Sequence, residues 1–321
     1  MIYLTDCIYF STIFVYKKQS EYHFLERVYM DRCVRKAYAK INLGLDVVRR
    51  LENGYHEVRM VMQTVGIADV LTLEKRPLGI TVSTDSGELP TDENNLIYKA
   101  AKLMMEKHDI QEGVHIHLEK HIPIAAGMAG GSTDAAATFI GMNELFALGD
   151  SEEDLRQLGV KVGADVPYCI MGGTALAEGI GEVLTRLPAP PDAFLVVAKP
   201  DINVSTKFVY EHIDKEGVEH HPDIDGMIEA LNNGDLQGIV SLLENVLEAV
   251  TVKAHPVITE IKDTLNENGA MGSLMSGSGP TVFGLFADEE IAEKALRAVK
   301  EKNLAKQLFI TGFAEGGMNG K

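Results

Sequence analysis

Three short stretches of this chain combine residue types at spacings suited to phosphate chemistry. In the run Pro123-Ile124-Ala125-Ala126-Gly127-Met128-Ala129-Gly130-Gly131-Ser132-Thr133-Asp134, glycines and a Ser-Thr pair stand directly before an alanine-rich segment. Glycine allows positive φ and lets backbone approach an anion closely. The first amides of a following helix have no internal partner and can donate to phosphate oxygens. Ser132 is the expected N-cap, with its hydroxyl or that of Thr133 free to reach a phosphate or a metal ion instead. Lys40 and Asn42, two residues apart, share one face of a strand. Asp165 sits in the turn Gly163-Ala164-Asp165-Val166-Pro167. Taken alone, the glycine run equally suits a turn that merely caps a helix, Lys40 a surface lysine, and Asp165 a cap residue.

These groups need rigid supports on both sides. Alternating apolar residues predict strands at 37–48, 58–65, 70–73, 80–82 and 114–118. Helices are expected at 96–107, directly after the phosphate run from Ala135, and at 151–160. The proline cluster Pro188-Ala189-Pro190-Pro191 marks a domain boundary. Beyond it come a buried strand at 194–198 and helices at 207–212, 226–232, 236–250 and 257–268. A further segment at 273–286, a helix at 289–302 and a strand at 307–311 close the pattern. Hairpin-like strand pairs interleaved with helices make the class α+β, not doubly wound.

Composition narrows the chemistry further. The 321 residues are 45% apolar, enough for a sizeable core or two. The formal net charge of −17 argues against a nucleic-acid partner or an anionic membrane surface, so local donors must hold any anionic substrate. Cys7, Cys33 and Cys169 are scattered, which favours a reducing, cytoplasmic setting, and no apolar run is long enough to span a membrane. No Gly-Lys-Ser/Thr occurs, so the phosphate run is not a Walker A loop, and Gly-x-Gly-x-x-Gly is absent too. His115, His117 and His121 have metal-like spacing but read as a solvated face, and Cys169 reads as packing. The stretch before Met30 lacks the layout of a signal peptide, and an upstream extension ahead of a true start at Met30 is the simplest reading.

The phosphate run resembles the GHMP kinase pattern Pro-x-x-x-Gly-Leu-x-x-Ser-Ser-x-Ala, with Met128 for Leu and Thr133 for the second Ser. Three further segments match that family in order: 36–45 around Lys40, Gly-Ala-Asp-Val-Pro at 163–167, and Met275-Ser276-Gly277-Ser278-Gly279-Pro280-Thr281. Asn53-Gly54-Tyr55-His56 and Leu274–Thr281 resemble the branch that acts on a cytidine diphosphate-linked methylerythritol in the non-mevalonate isoprenoid pathway. That branch usually has a proline where Tyr38 stands.

The resemblance implies an N-terminal ribosomal-protein-S5-like nucleotide-binding domain over 33–190 and a C-terminal ferredoxin-like α/β domain over 191–315. An extension at 1–32 and a tail at 316–321 flank them. It implies an ATP-dependent, Mg²⁺-assisted kinase, monomeric or homodimeric. Asp165 is then the proton acceptor, with Lys40 beside it, and 123–133 holds the ATP phosphates. Gly277, Ser278 and Gly279 pack behind, and Asn95 lies near the adenine. Substrate contacts fall on Asn42, Tyr55, His56, the backbone of Ile180, Thr206 and Tyr210, the two tyrosines sandwiching the base. The metal ligands are left open. Asp134 is either a helix-dipole partner or an indirect metal contact. Another kinase of the family, or a non-catalytic binding protein on the same fold, are the competing readings.

Overall fold

The computed structural model describes residues 31–319. The expectation for Met30 and the residues before it, and the last two residues of the chain, lie outside that range. Two long strands organise the first layer. β1 (Arg32–Arg50) and β2 (His56–Arg76) pair antiparallel along almost their whole lengths, joined by a turn in which Gly54 takes φ 86°. The sequence predicts two strands where β2 is one. The strand runs unbroken through Gly66, which is exposed, and Asp69, which is buried. A Cβ at Gly66 would lie 2.7 Å from Thr311 Oγ1, and Asp69 is fully buried as a polar anchor.

β3 (Ile80–Thr84) pairs parallel with β4 (Gly113–Glu119), and β4 pairs antiparallel with β2. Between them runs α1 (Leu96–His108), capped by Asn95. α2 (Gly130–Leu145) packs beside α1 across β1 and β2 and is buried almost throughout, Phe139 completely. Such all-round apolarity suits a central helix. α3 (Glu152–Gly159) starts with a capping box between Ser151 and Asp154, and α4 (Val166–Met171) carries Pro167 in its first turn, where a missing N–H costs nothing. β5 (Thr174–Glu178) pairs antiparallel with β2, and β6 (Val183–Leu187) pairs antiparallel with β5 at the edge of this sheet.

After 188–193 the chain enters a second sheet. It holds β7 (Phe194–Lys199), β9 (Gly272–Met275), β10 (Val282–Phe286) and β11 (Gln307–Gly312), all antiparallel in the order β11-β7-β10-β9. Helices α5 (Thr206–Glu216), α6 (Ile224–Asn232), α7 (Leu236–Ser241), α8 (Glu248–Ala254) and α9 (Val257–Glu267) intervene before β9. α10 (Glu289–Glu301) links β10 to β11, giving the β-α-β-β-α-β order of a ferredoxin-like unit. Together the two sheets and their helices form a two-part α+β fold, as the sequence pattern implies. The last described residues return to the first layer, where Gly317–Asn319 forms a 3₁₀ turn against α4. No helix among the described residues is long and apolar enough to cross a membrane.

The helix expected over 236–250 is interrupted. Between α7 and α8, the two-residue strand β8 (Glu244–Asn245) pairs parallel with Gly44 and Leu45 of β1. Its reason is Asn245, 4% exposed, whose Nδ2 donates to Met275 O and Gly277 O, both at 2.8 Å. Its Oδ1 accepts from Leu247 N at 3.0 Å. A continuous helix would carry that amide away from the turn it holds. Asn245→Ala strands two buried carbonyls and should lower the unfolding free energy by about 2–4 kcal/mol. Urea denaturation checks this, and a loss within error of zero would remove the latch role.

Candidate active site

β4 delivers the chain through Ile122, 1% exposed, into the glycine-rich loop. Ala125, Gly127 and Ala129 all adopt positive φ, at 51°, 73° and 57°, which folds the backbone tightly before α2. Ala129, not Ser132, is the N-cap, and it has no side chain to cap with. The leading amides of α2 therefore stay available at the positive end of the helix dipole. Starting the helix at Gly130 also sets which side chains look outward. Ser132 lines the cleft, but Thr133 is turned into the protein and its hydroxyl donates to Tyr38 O at 2.7 Å. Met128 likewise joins the core, 1% exposed, and its carbonyl accepts from Lys40 N at 3.2 Å. Pro123 to Gly127 and Ala129 to Ser132 line the cleft.

The second sheet supports this loop from behind. Ser276 Oγ donates to Gly127 O at 3.0 Å, and a Cβ on Gly127 would come within 2.2 Å of Ser276 O. Gly277, Ser278 and Gly279 reach the cleft beside it. Thr206, the first residue of α5, hydrogen-bonds Ser278 through its hydroxyl at 2.9 Å, so it fastens α5 to the turn and also lines the cleft.

The cleft has a volume of about 950 Å³, at the large end for ligand sites. Lys40 and Asp165 both line it. No ion pair joins them among the described residues. Lys40 is 5% exposed and its Nζ donates to Asn42 Oδ1 at 2.7 Å. Asn42 is fully buried, its Nδ2 directed to Met60 Sδ at 3.5 Å, and it is not part of the lining, so the structure gives it to Lys40 instead of to a ligand. Asp165 stands at the N-cap of α4 without a side-chain cap bond, and its carboxylate has no hydrogen-bond partner among the described residues. Next to it Cys169 is buried, and burial pushes its thiol well up, as a packing residue requires.

Two expected ligand contacts are already engaged within the protein. Asn95 lines the cleft, but its Oδ1 accepts from Ile97 N at 2.9 Å and its Nδ2 donates to Pro90 O at 2.7 Å. Capping α1 uses both ends of the amide. The Ile180 amide donates to Glu182 Oε2 at 2.7 Å. Nor do the tyrosines form a sandwich. Tyr55 is 58% exposed at the rim, while the ring against Tyr210 is that of His56, with centroids 4.6 Å apart and planes 33° from parallel. Burial pushes the Tyr210 phenol up to about 12, with Asp165 adding to the effect. His115, His117 and His121 bond to Thr81, Ser83 and Ala68 O on their own sheet face.

Sequence reasoning missed a buried charge cluster under the loop. Asp69 accepts from His121 N at 2.6 Å, from Ile122 N at 2.8 Å and from Lys120 Nζ. Lys120 also donates to Asp134 Oδ2 at 3.1 Å, leaving Asp134 Oδ1 buried with no partner. Burial holds the Asp134 carboxyl well above its ordinary 3.8, Lys120 opposing and Asp69 adding to the rise. The only sign was an aspartate inside the apolar run Val65-Gly66-Ile67-Ala68-Asp69-Val70. For a divalent cation, Asp134 fits poorly because an ammonium already sits on it. The Ser132 hydroxyl and the Asp165 carboxylate are lining oxygens without protein partners among the described residues.

Comparison with known proteins came out in one direction. The family model described as GHMP kinases N terminal domain matches residues 95–173, and that of GHMP kinases C terminal matches 227–305. The chain is 53% identical over 287 residues to 4-diphosphocytidyl-2-C-methyl-D-erythritol kinase of Lachnoclostridium phytofermentans, covering 89% of this chain and 99% of the relative. It is 48% identical over 282 residues to the protein of the same name in Caldicellulosiruptor bescii, covering 88% and 98%. A crystal structure of 4-(cytidine 5'-diphospho)-2C-methyl-D-erythritol kinase superposes with TM-score 0.76 at 33% identity, over 88% of this chain and 100% of that one. A homoserine kinase from Cytophaga hutchinsonii shares the fold at TM-score 0.72 and 21% identity, over 93% and 99%.

Two predictions come from the loop and the cluster beneath it. Gly127→Ala forces a side chain onto the Ser276 carbonyl at a left-handed φ. It should weaken ATP binding at least about tenfold, roughly 1.4 kcal/mol by titration calorimetry, whereas unchanged affinity would contradict the loop geometry. Asp134→Asn tests the buried carboxyl. A raised pKa in the folded state means that, above pH 3.8, folded protein holds a proton that unfolded chain has lost. Wild-type stability from this group therefore falls as pH rises through that window. Thermal melts should show the variant gaining on wild type with rising pH; a pH-independent difference would contradict this.

Proposed function

This chain belongs to the GHMP kinase family, and we propose that it phosphorylates the 2-hydroxyl of 4-diphosphocytidyl-2-C-methyl-D-erythritol with ATP, in the non-mevalonate route to isoprenoid precursors. The observation that carries the mechanism is the Asp165 carboxylate. It lines the same cleft as the uncapped start of α2 and has no protein partner among the described residues. A phosphate-binding helix end and an uncommitted proton acceptor are the two parts that alcohol phosphorylation asks of a protein.

The amides that open α2 hold the triphosphate, and the backbone of 123–129 wraps it. As the substrate oxygen bonds to the γ-phosphorus, its proton passes to Asp165 and the bond to the leaving ADP oxygen breaks. Lys40, held by Asn42, offsets negative charge on the transferring group from a position that needs no reorganisation. Mg²⁺, when bound with ATP, neutralises phosphate charge, and the Ser132 hydroxyl is the protein oxygen suited to hold it. Around the cytidyl end, His56 and Tyr210 form one wall and Tyr55 the rim. Lys40 and Lys207 line the cleft, Lys40 with no carboxylate of the lining within ion-pair distance among the described residues, whereas Lys120 is held by Asp69 and Asp134 and Arg50 faces Asp214.

ADP release with Mg-ATP should occur with the cytidyl substrate and not with mevalonate or homoserine. Asp165→Asn should lower kcat by roughly 10²–10⁴, the usual worth of a positioned base. Turnover only with another alcohol would overturn the substrate assignment, and no turnover with any would favour a binding protein on this fold.

A further inference from the structure

His56 is the first residue of β2, and its imidazole is gripped from α5 by two residues one helical turn apart. Tyr210 lies against its face and Asp214 meets its edge, Nε2 to Asp214 Oδ1 at 2.7 Å. The His56 side chain is only 9% exposed and that of Asp214 22%. Arg50, at the end of β1, approaches the other carboxylate oxygen at 3.6 Å and so steadies Asp214 from the opposite side. His56 Nδ1 has no hydrogen-bond partner among the described residues, and His56, Asp214 and Tyr210 all line the cleft.

A carboxylate can only accept. In a neutral imidazole, the nitrogen facing it must carry the proton, and the other is then an acceptor. We propose that Asp214 is a specificity-determining positioning residue, which fixes His56 with Nε2 protonated so that Nδ1 accepts from the exocyclic amino group of a cytosine and rejects the carbonyl that uracil has there. This rests on the reading of the cleft as a cytidyl site. Uracil presents an acceptor to an acceptor, a mismatch that leaves both groups without a donor. The discrimination thus comes from an aspartate that need not touch the base. It belongs to α5, whereas the imidazole belongs to the first sheet, so docking of the two layers sets the choice of base.

Two measurements test it. The first is the imidazole ¹⁵N spectrum of His56 in the wild-type protein at neutral pH, with the assignment confirmed by its loss in His56→Ala. Nε2–H is the expected tautomer, and Nδ1–H overturns the proposal whatever the activity. The second is kcat/KM for the cytidine diphosphate-linked substrate and its uridine analogue, in wild type and in Asp214→Ala. The wild-type preference for the cytidyl compound should fall at least about tenfold in the variant, mostly through KM, with kcat within about twofold. An equal loss on both substrates at an unchanged ratio would show a merely structural role and overturn the proposal. Wild-type protein inactive on the cytidyl substrate would instead remove the underlying site reading, and the proposal with it.

Discussion

The backbone contact between Gly127 and the Ser276–Gly277 turn is the constraint on which the site depends. At Gly127 no side chain fits, since the nearest carbonyl would stand 2.2 Å from a Cβ. The two backbones touch, so the glycine-rich loop of the first layer and the hairpin turn of the second brace each other. Everything else is tied to that junction. Lys40 N holds the loop through Met128 O, Asn245 holds the turn through two carbonyls, and Thr206 ties α5 to Ser278. The cleft therefore exists only when both layers are docked. Close-packed interiors are bistable and not continuously deformable, so such a junction positions ligands sharply.

Within the cleft, what matters is which polar groups remain free. Buried polar groups left unpaired cost about 1–3 kcal/mol each, so most are satisfied internally. The Asn95 amide caps α1, Thr133 serves Tyr38, the Ile180 amide serves Glu182, and Asn42 serves Lys40. The exceptions among the described residues are the opening amides of α2, the Ser132 hydroxyl and the Asp165 carboxylate, the groups to which the proposed phosphoryl transfer assigns its work. Asp134 Oδ1 is a different exception, buried beneath the loop beside Lys120. Its burial explains why the carboxyl is held well above its ordinary value.

The geometry that resides in backbone was legible in the sequence. Glycine spacing announced the tight loop before α2 and the turn that supports it, and alternation announced both sheets. What depended on helix phase was not. Each residue turns an α-helix by about 100°, so moving the N-cap of α2 from Ser132 to Ala129 decides which hydroxyl faces out, and Thr133 goes in. The merged strand β2 was hidden because Gly66 and Asp69 resemble a break until their tertiary partners are known. Asp214 lies 158 positions from His56, beyond any local pattern, and the split of 236–250 depends on Asn245 reaching a turn that comes later in the chain.

The central claim is that one cleft, made by docking the two layers, brings an alcohol to Asp165 and a triphosphate to the start of α2 together. A crystal structure with a non-hydrolysable ATP analogue and the cytidyl substrate tests it most directly. The account predicts phosphate oxygens on the amides of Gly130, Gly131 and Ser132, and the reacting hydroxyl at hydrogen-bond distance, about 2.6–3.2 Å, from the Asp165 carboxylate. Phosphates bound away from the start of α2, or a hydroxyl directed away from Asp165, would contradict it.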